Sequence, residues 1–277
     1  AAPIPSDSVW RLAIPETVGM GRSLESPSAT SPLWIFAMNE ARVLLAGYGL
    51  TFECPGGHRV LEESYVQLRE GENLALCGRN GAGKTTLLMI LAGLLPATKG
   101  LIEFEGQSPL QKLADLPVAL LMQNPDYMLL APTVKQDLLL SAASKNWTMA
   151  ETLSRIDCVV DQLALRSCLN RAPDQLSIGQ RKRVALATLL LLEPRVLLLD
   201  EPTAGLDPRG RIELMGILSD LKKRGTTTLI ASHDLAFLEE WADMVVLIEQ
   251  KRLHGPYPKR DFFREGGHYQ VLLSAES

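Results

Sequence analysis

Short apolar runs set the rhythm of this chain: Leu74-Ala75-Leu76-Cys77, Val118-Ala119-Leu120-Leu121-Met122, Val196-Leu197-Leu198-Leu199, and stretches over 227–231 and 244–249. Each reads as a strand, and Val196–Leu199, apolar without alternation, as one of the buried type. Stretches without glycine or proline predict helices between them, over 85–92, 148–163 and 234–242. Thr148-x-x-Glu151 has the form of a capping box for the second, and Ser177 can cap a further helix that continues through 178–187. Strand and helix in alternation predict an α/β fold with a mostly parallel sheet.

The two ends of the chain depart from this rhythm. Pro3, Pro5, Pro15, Pro27 and Pro32 interleave with serines over 1–37, which predicts a disordered or loosely packed extension. That stretch lacks the basic start and long apolar run of a secretory signal. From Lys251 onward, Gly255, Pro256, Pro258, Gly266 and Gly267 predict a C-terminal tail over 251–277 rather than a further compact domain. The expected main domain is therefore 38–250.

Between the first strand and the first helix lies Gly78-Arg79-Asn80-Gly81-Ala82-Gly83-Lys84-Thr85, followed by Thr86. It matches G-x-x-x-x-G-K-[ST], the phosphate-binding loop. Glycines let successive backbone N–H groups turn into one concave nest and approach an anion without a β-carbon in the way. The helix start adds the positive end of its dipole. Lys84 supplies a full charge for β- and γ-phosphate oxygens, and the Thr85 hydroxyl suits a bridging Mg²⁺. The expected ligands are ATP and Mg²⁺.

Other residues extend the same chemistry. The strand 196–199 ends in Asp200-Glu201, where Asp200 suits a Mg²⁺ shell and Glu201 could accept a proton from attacking water. Gln123 follows the strand 118–122. Asp207, before Pro208, has the form of a helix cap.

Composition narrows the partners. The 277 residues are 46% hydrophobic with a formal net charge of −4, and the isoelectric point is about 5.7. No overall basic field gathers phosphate backbones, so direct nucleic-acid binding is not expected. The longest apolar stretch, 184–192, is cut by Glu193, well short of the roughly 18 residues of a membrane span. The four cysteines have no metal-like spacing and read as reduced and structural.

Taken together, these motifs resemble those of ATP-binding cassette (ABC) ATPases. Asn80 to Thr86 resemble the Walker A loop, Ser177-Ile178-Gly179-Gln180 the signature motif and 196–201 the Walker B strand, in matching order. Gln123 resembles the Q-loop glutamine, Ala204-Gly205-Leu206-Asp207 the D-loop, and Ser232-His233-Asp234 the switch-histidine region. The resemblance, over about 42–250, implies a P-loop NTPase fold: a RecA-like parallel core, an antiparallel β region and an inserted α-helical subdomain at about 133–185. It implies two such units meeting head to tail, as a homodimer or a heterodimer with a related ATPase. Each nucleotide would lie between one unit's Walker A loop and the other's Ser177, Gly179 and Gln180, with Asp207 communicating across the interface. Glu201 would be the general base, His233 would position the γ-phosphate and water, and Gln123 would complete the Mg²⁺ shell with Thr85 and Asp200.

Two positions depart from the family pattern. Ile178 stands where the signature commonly has glycine, and Cys54 stands where relatives place an aromatic residue against adenine. Phe52 shares a strand face with Cys54 by period-two alternation, which leaves the adenine contact open. Gln123-Asn124-Pro125-Asp126, Ala131-Pro132-Thr133-Val134 and 176–187 look most like the ATPases of energy-coupling-factor importers for cobalt, nickel or vitamins. That implies integral membrane partners and a peripheral place on the cytoplasmic face of the membrane. The alternatives are a non-transport ABC ATPase and an ATP-dependent switch that does not hydrolyse its ligand.

Overall fold

The structure, a computed structural model, describes residues 41–107, 116–264 and 267. The extension expected over 1–37 lies outside the described residues. Everything below belongs to the compact unit Met38–Ser277.

Strands β1 (Val43–Glu53), β2 (Arg59–Arg69) and β4 (Lys99–Phe104) form a three-stranded antiparallel sheet in the order β2-β1-β4. The second sheet is built from β3 (Asn73–Gly78), β5 (Val118–Leu121), β6 (Val196–Asp200), β7 (Thr227–Ala231), β8 (Met244–Glu249) and β9 (Arg252–Pro258). Its order is β5-β6-β7-β3-β8-β9, parallel except for β9. Helix α1 (Lys84–Leu91) follows β3. Helices α2 (Val134–Ala142), α3 (Met149–Gln162) and α4 (Ile178–Leu190) lie in sequence between β5 and β6, and α5 (Pro208–Lys223) and α6 (Leu235–Trp241) flank β7.

The absence of alternation in the central strands now has its cause. Leu74, Leu76, Val196, Leu198, Val246 and Ile248 face one core, shared with α1 and the antiparallel sheet. Their neighbours Ala75, Cys77, Leu197, Leu199, Val245 and Leu247 face a second core, shared with α2 to α6. A strand with apolar layers on both sides loses surface from water on both, so period two disappears from its sequence while its geometry persists.

Local chemistry sets the helix starts. Thr148 and Glu151 form the expected capping box on α3, and Ser177 with Gln180 forms another on α4. Asp207 accepts from Gly210 N–H at 2.7 Å to cap α5, and Asp234 accepts from Phe237 N–H at 3.1 Å to cap α6. Each such cap satisfies an otherwise unpaired amide and contributes about 1 kcal/mol.

The C-terminal boundary falls later than glycines and prolines suggest. Residues 252–258 pair antiparallel with β8 as the sheet's edge strand, where missing N–H groups cost no ladder bonds. Helix α7 (Lys259–Phe263) then folds back, with Phe262 fully buried against Tyr257 and Phe263. Among the described residues, no helix is long and apolar enough to cross a membrane.

Candidate functional site

A parallel sheet delivers the ends of its strands to one edge, and here that edge carries the candidate residues. Strand β3 leads into the glycine loop, β6 ends at Asp200 with Glu201 next, and β7 is followed by Ser232 and His233. Because β7 lies between β3 and β6, the strand order brings His233 to the same edge as the lysine and the two carboxylates. Gln123 enters from the loop after β5. Lys84, Thr85, Gln123, Asp200, Glu201 and His233 line a cleft of about 570 Å³, together with Asn80, Gly81, Gly83, Thr86, His58 and Val60.

The loop needs its glycines for two distinct reasons. Gly83 has φ 108°, and a β-carbon there would come within 2.9 Å of Val60. Gly78 packs so closely on β8 that a β-carbon would lie 2.9 Å from the Ile248 carbonyl oxygen. The first is a left-handed conformation that side chains disfavour, and the second is a close approach of two backbones.

Lys84 is buried. Its Nζ donates to the Gly78 carbonyl at 2.8 Å and lies 3.7 Å from Glu201 Oε1. On its other oxygen, Glu201 Oε2 accepts from Ser232 Oγ at 3.1 Å and from His233 N at 3.4 Å, and is 2.9 Å from His233 Nδ1. Glu201 has φ 46°, a left-handed backbone costly for a residue with a β-carbon. The turn at the strand's end thus aims its carboxylate into the cleft.

Asp200 supplies the test for a metal. Thr85 Oγ1 donates to Asp200 Oδ2 at 2.6 Å, whereas Asp200 Oδ1 is buried without a hydrogen-bond partner. A carboxylate oxygen in that condition is costly unless a cation meets it. Burial accordingly raises the Asp200 pKa, opposed by the Thr85 hydrogen bond. Hard oxygen donors from Thr85, Asp200 and Gln123 suit Mg²⁺.

The remaining candidates are placed elsewhere. Ser177, Gly179, Gln180 and Asp207 do not line this cleft; Ser177 and Asp207 are exposed at the starts of α4 and α5. Gln180 Oε1 accepts from Ser177 N–H at 3.0 Å, completing the capping box at the start of α4. Ile178 packs its side chain over Gly205, where a β-carbon would meet it at 3.3 Å. The backbone of Arg79 serves the loop by accepting from Ala82 N–H at 3.1 Å.

Cys54 does not reach the cleft wall; its backbone closes a turn with Gly57 and His58. Phe52 packs against the core shared with α1. His58, which sequence reasoning passed over, lines the cleft in their stead. Its only local signal was an aromatic ring within a glycine turn.

Lys182 was also missed. It is buried on α4, and its Nζ donates to the carbonyls of Glu201, Pro202 and Ala204 at 2.9, 3.0 and 2.8 Å. Burial lowers its pKa to about 8, with Glu201 and Asp200 opposing.

A glycine loop, a buried lysine and a strand-end carboxylate pair on one sheet edge define a P-loop nucleoside triphosphatase. The family model for the ABC transporter matches residues 61–204. The chain belongs to the ABC transporter ATPase family and is an ATP-binding, ATP-hydrolysing protein. It is 38% identical over 220 residues to the energy-coupling factor transporter ATP-binding protein EcfA of Methanocaldococcus jannaschii, covering 77% of this chain and 78% of that one. It is 35% identical over 208 residues to EcfA of Carboxydothermus hydrogenoformans, covering 74% and 77%. Among solved structures it resembles cbiO1 from Clostridium perfringens, part of the ABC transporter complex cbiONQ. That match has a TM-score of 0.73 and 30% identity, and covers 83% of this chain and 94% of that one.

Proposed function

We propose that this chain is the ATPase subunit of an energy-coupling-factor type importer for a metal ion or vitamin. The observation that carries this reading is the division of its nucleotide machinery between two surfaces. One surface holds Lys84, Thr85, Gln123, Asp200, Glu201 and His233 around the cleft, and the other presents Ser177, Gly179 and Asp207 at exposed helix starts. A nucleotide is enclosed only when the second surface of one copy covers the first surface of another. A homodimer or a heterodimer with a related ATPase meets that need. Similarity to EcfA and cbiO1 supports integral membrane subunits as further partners, with this subunit peripheral on the cytoplasmic face.

In that dimer Lys84 and the glycine-loop N–H groups hold the β- and γ-phosphates. Thr85, Asp200 and Gln123 hold Mg²⁺, which neutralises charge on the phosphate oxygens when bound. Glu201 takes a proton from water as the water oxygen attacks the γ-phosphorus and the bond to the β,γ-bridging oxygen breaks, releasing ADP. His233, 2.9 Å from Glu201, orients that carboxylate and the γ-phosphate. The partner's Walker A site receives this chain's Ser177 and Gly179 edge.

Affinity-tagged protein drawn from detergent-solubilised membranes of the source cells should bring down a multi-spanning membrane protein. Reconstituting the two in vesicles should make ATP hydrolysis depend on that subunit. Recovery only with soluble partners, and turnover indifferent to membranes, would replace this reading with a non-transport ATPase.

A further inference from the structure

The signature helix and the turn after Walker B are far apart in sequence, yet they are joined by a charge. Lys182 extends from α4 into the concave side of the turn at 201–204, where three carbonyl oxygens converge on its ammonium at 2.8 to 3.0 Å. A buried ammonium has three donors, and here each is used. Two apolar contacts lie along the same seam. Ile178 covers Gly205, and Leu206 sits 3.4 Å from where a β-carbon on Gly179 would be.

One of the three acceptors is the carbonyl of Glu201, the residue whose backbone has φ 46°. Such a conformation persists only where its surroundings over-determine it. The Glu201 N–H donates to Ala231 at 2.8 Å and its carbonyl accepts from Ala204 N–H at 3.1 Å. The second bond closes the turn on itself and the first ties it to β7, whereas the Lys182 bonds tie it to the signature helix α4.

We propose that Lys182 is a positioning residue for hydrolysis: by clamping the 201–204 turn to α4, it aims the Glu201 carboxylate into this chain's own cleft and fixes Asp207 relative to Ser177. One rigid body then carries the general base for one nucleotide and the edge that covers the other. Closure on a partner's nucleotide, felt at Ser177, would move the base at the same time. This inference rests on the Glu201 role given under the proposed function.

The test compares Lys182→Met, which keeps the aliphatic stem and removes the donors, with Lys182→Gln, whose carboxamide retains two donors on a shorter stem. Steady-state MgATP hydrolysis, calorimetric ATP affinity and thermal midpoint are measured for each beside Glu201→Gln. A carboxylate misplaced by about an ångström costs on the order of 10²-fold in rate. Lys182→Met should therefore lose at least about ten-fold in kcat at unchanged KM and ATP affinity, with Lys182→Gln intermediate. Parental kcat in soluble Lys182→Met while Glu201→Gln is inactive would overturn the proposal. So would a kcat loss matched by weakened ATP binding, which marks general unfolding of the site. Should Lys182→Met fail to fold, Lys182→Gln decides alone, by a kcat loss at constant KM or its absence. Parental turnover in Glu201→Gln would instead remove the base assignment on which the proposal stands.

Discussion

Replacing Glu201 by glutamine removes a proton acceptor and one charge while leaving the shape. The carboxamide oxygen can keep the place of Oε2, accepting from Ser232 Oγ and from His233 N. Its nitrogen then faces Lys84, where Glu201 Oε1 stood 3.7 Å away. At that separation and an effective dielectric of about 20, the lost attraction is roughly 4 kcal/mol before desolvation. Triphosphate must displace this attraction to reach the lysine, so its loss favours nucleotide. ATP affinity should therefore hold or tighten. Turnover should fall by about 10² to 10⁴, the usual worth of general-base assistance, equivalent to about 2.7 to 5.4 kcal/mol in the barrier. Phosphate release reads the rate, and a sizing column with saturating MgATP reads the assembly, since a nucleotide that is not hydrolysed holds two copies together. Adding Ser177→Arg to the same chain should break that dimer by placing a bulky cation at the covering edge. Parental turnover in Glu201→Gln would refute the proton-acceptor role, and a monomer under saturating MgATP would refute the head-to-tail assembly.

Further outcomes follow from single residues. Lys84→Ala should abolish tight ATP binding because the loop loses its only full charge at the phosphates, and unchanged affinity by calorimetry would sink that assignment. His58→Ala should weaken nucleotide binding by about 0.5 to 1.5 kcal/mol through loss of a ring face on the cleft wall; equal affinity would show that the base is not gripped there. Phe262→Ala should destabilise the fold by about 3 to 5 kcal/mol, read as a lower denaturant midpoint, and no shift would place the C-terminal strand and helix outside the cooperative core. Burial pushes the Cys77 thiol up to about 12, so at pH 8 it is neutral as well as covered. Maleimide should label exposed Cys158 in the folded protein and Cys77 only after denaturation, a contrast that mass spectrometry checks.

The residues that act through their own backbone neighbours were legible without the fold. A phosphate nest needs consecutive N–H groups, so 78–85 had to be contiguous, and its glycines and Lys84 identify themselves by spacing. Helix caps are likewise local, and Thr148, Ser177 and Asp207 each bond an amide within one turn. Buried strands declare themselves through unbroken apolar residues, because both faces are covered.

Other features depended on elements brought together from afar. The edge strand β9 reads as a tail because Gly255, Pro256 and Pro258 disfavour a strand taken alone; pairing with β8 and the burial of Phe262 outweigh that preference. Lys182 reads as one more cation in a basic run beside Arg181 and Arg183. Its partners are backbone carbonyls, which every residue possesses and which therefore leave no mark in the sequence. Sequence alone determined the chemistry of the phosphate loop, since that chemistry is local. Only the tertiary structure decided which residues share its cleft, which lie outside it at exposed helix starts, and which buried charge meets the turn after β6, since those depend on how distant elements pack together.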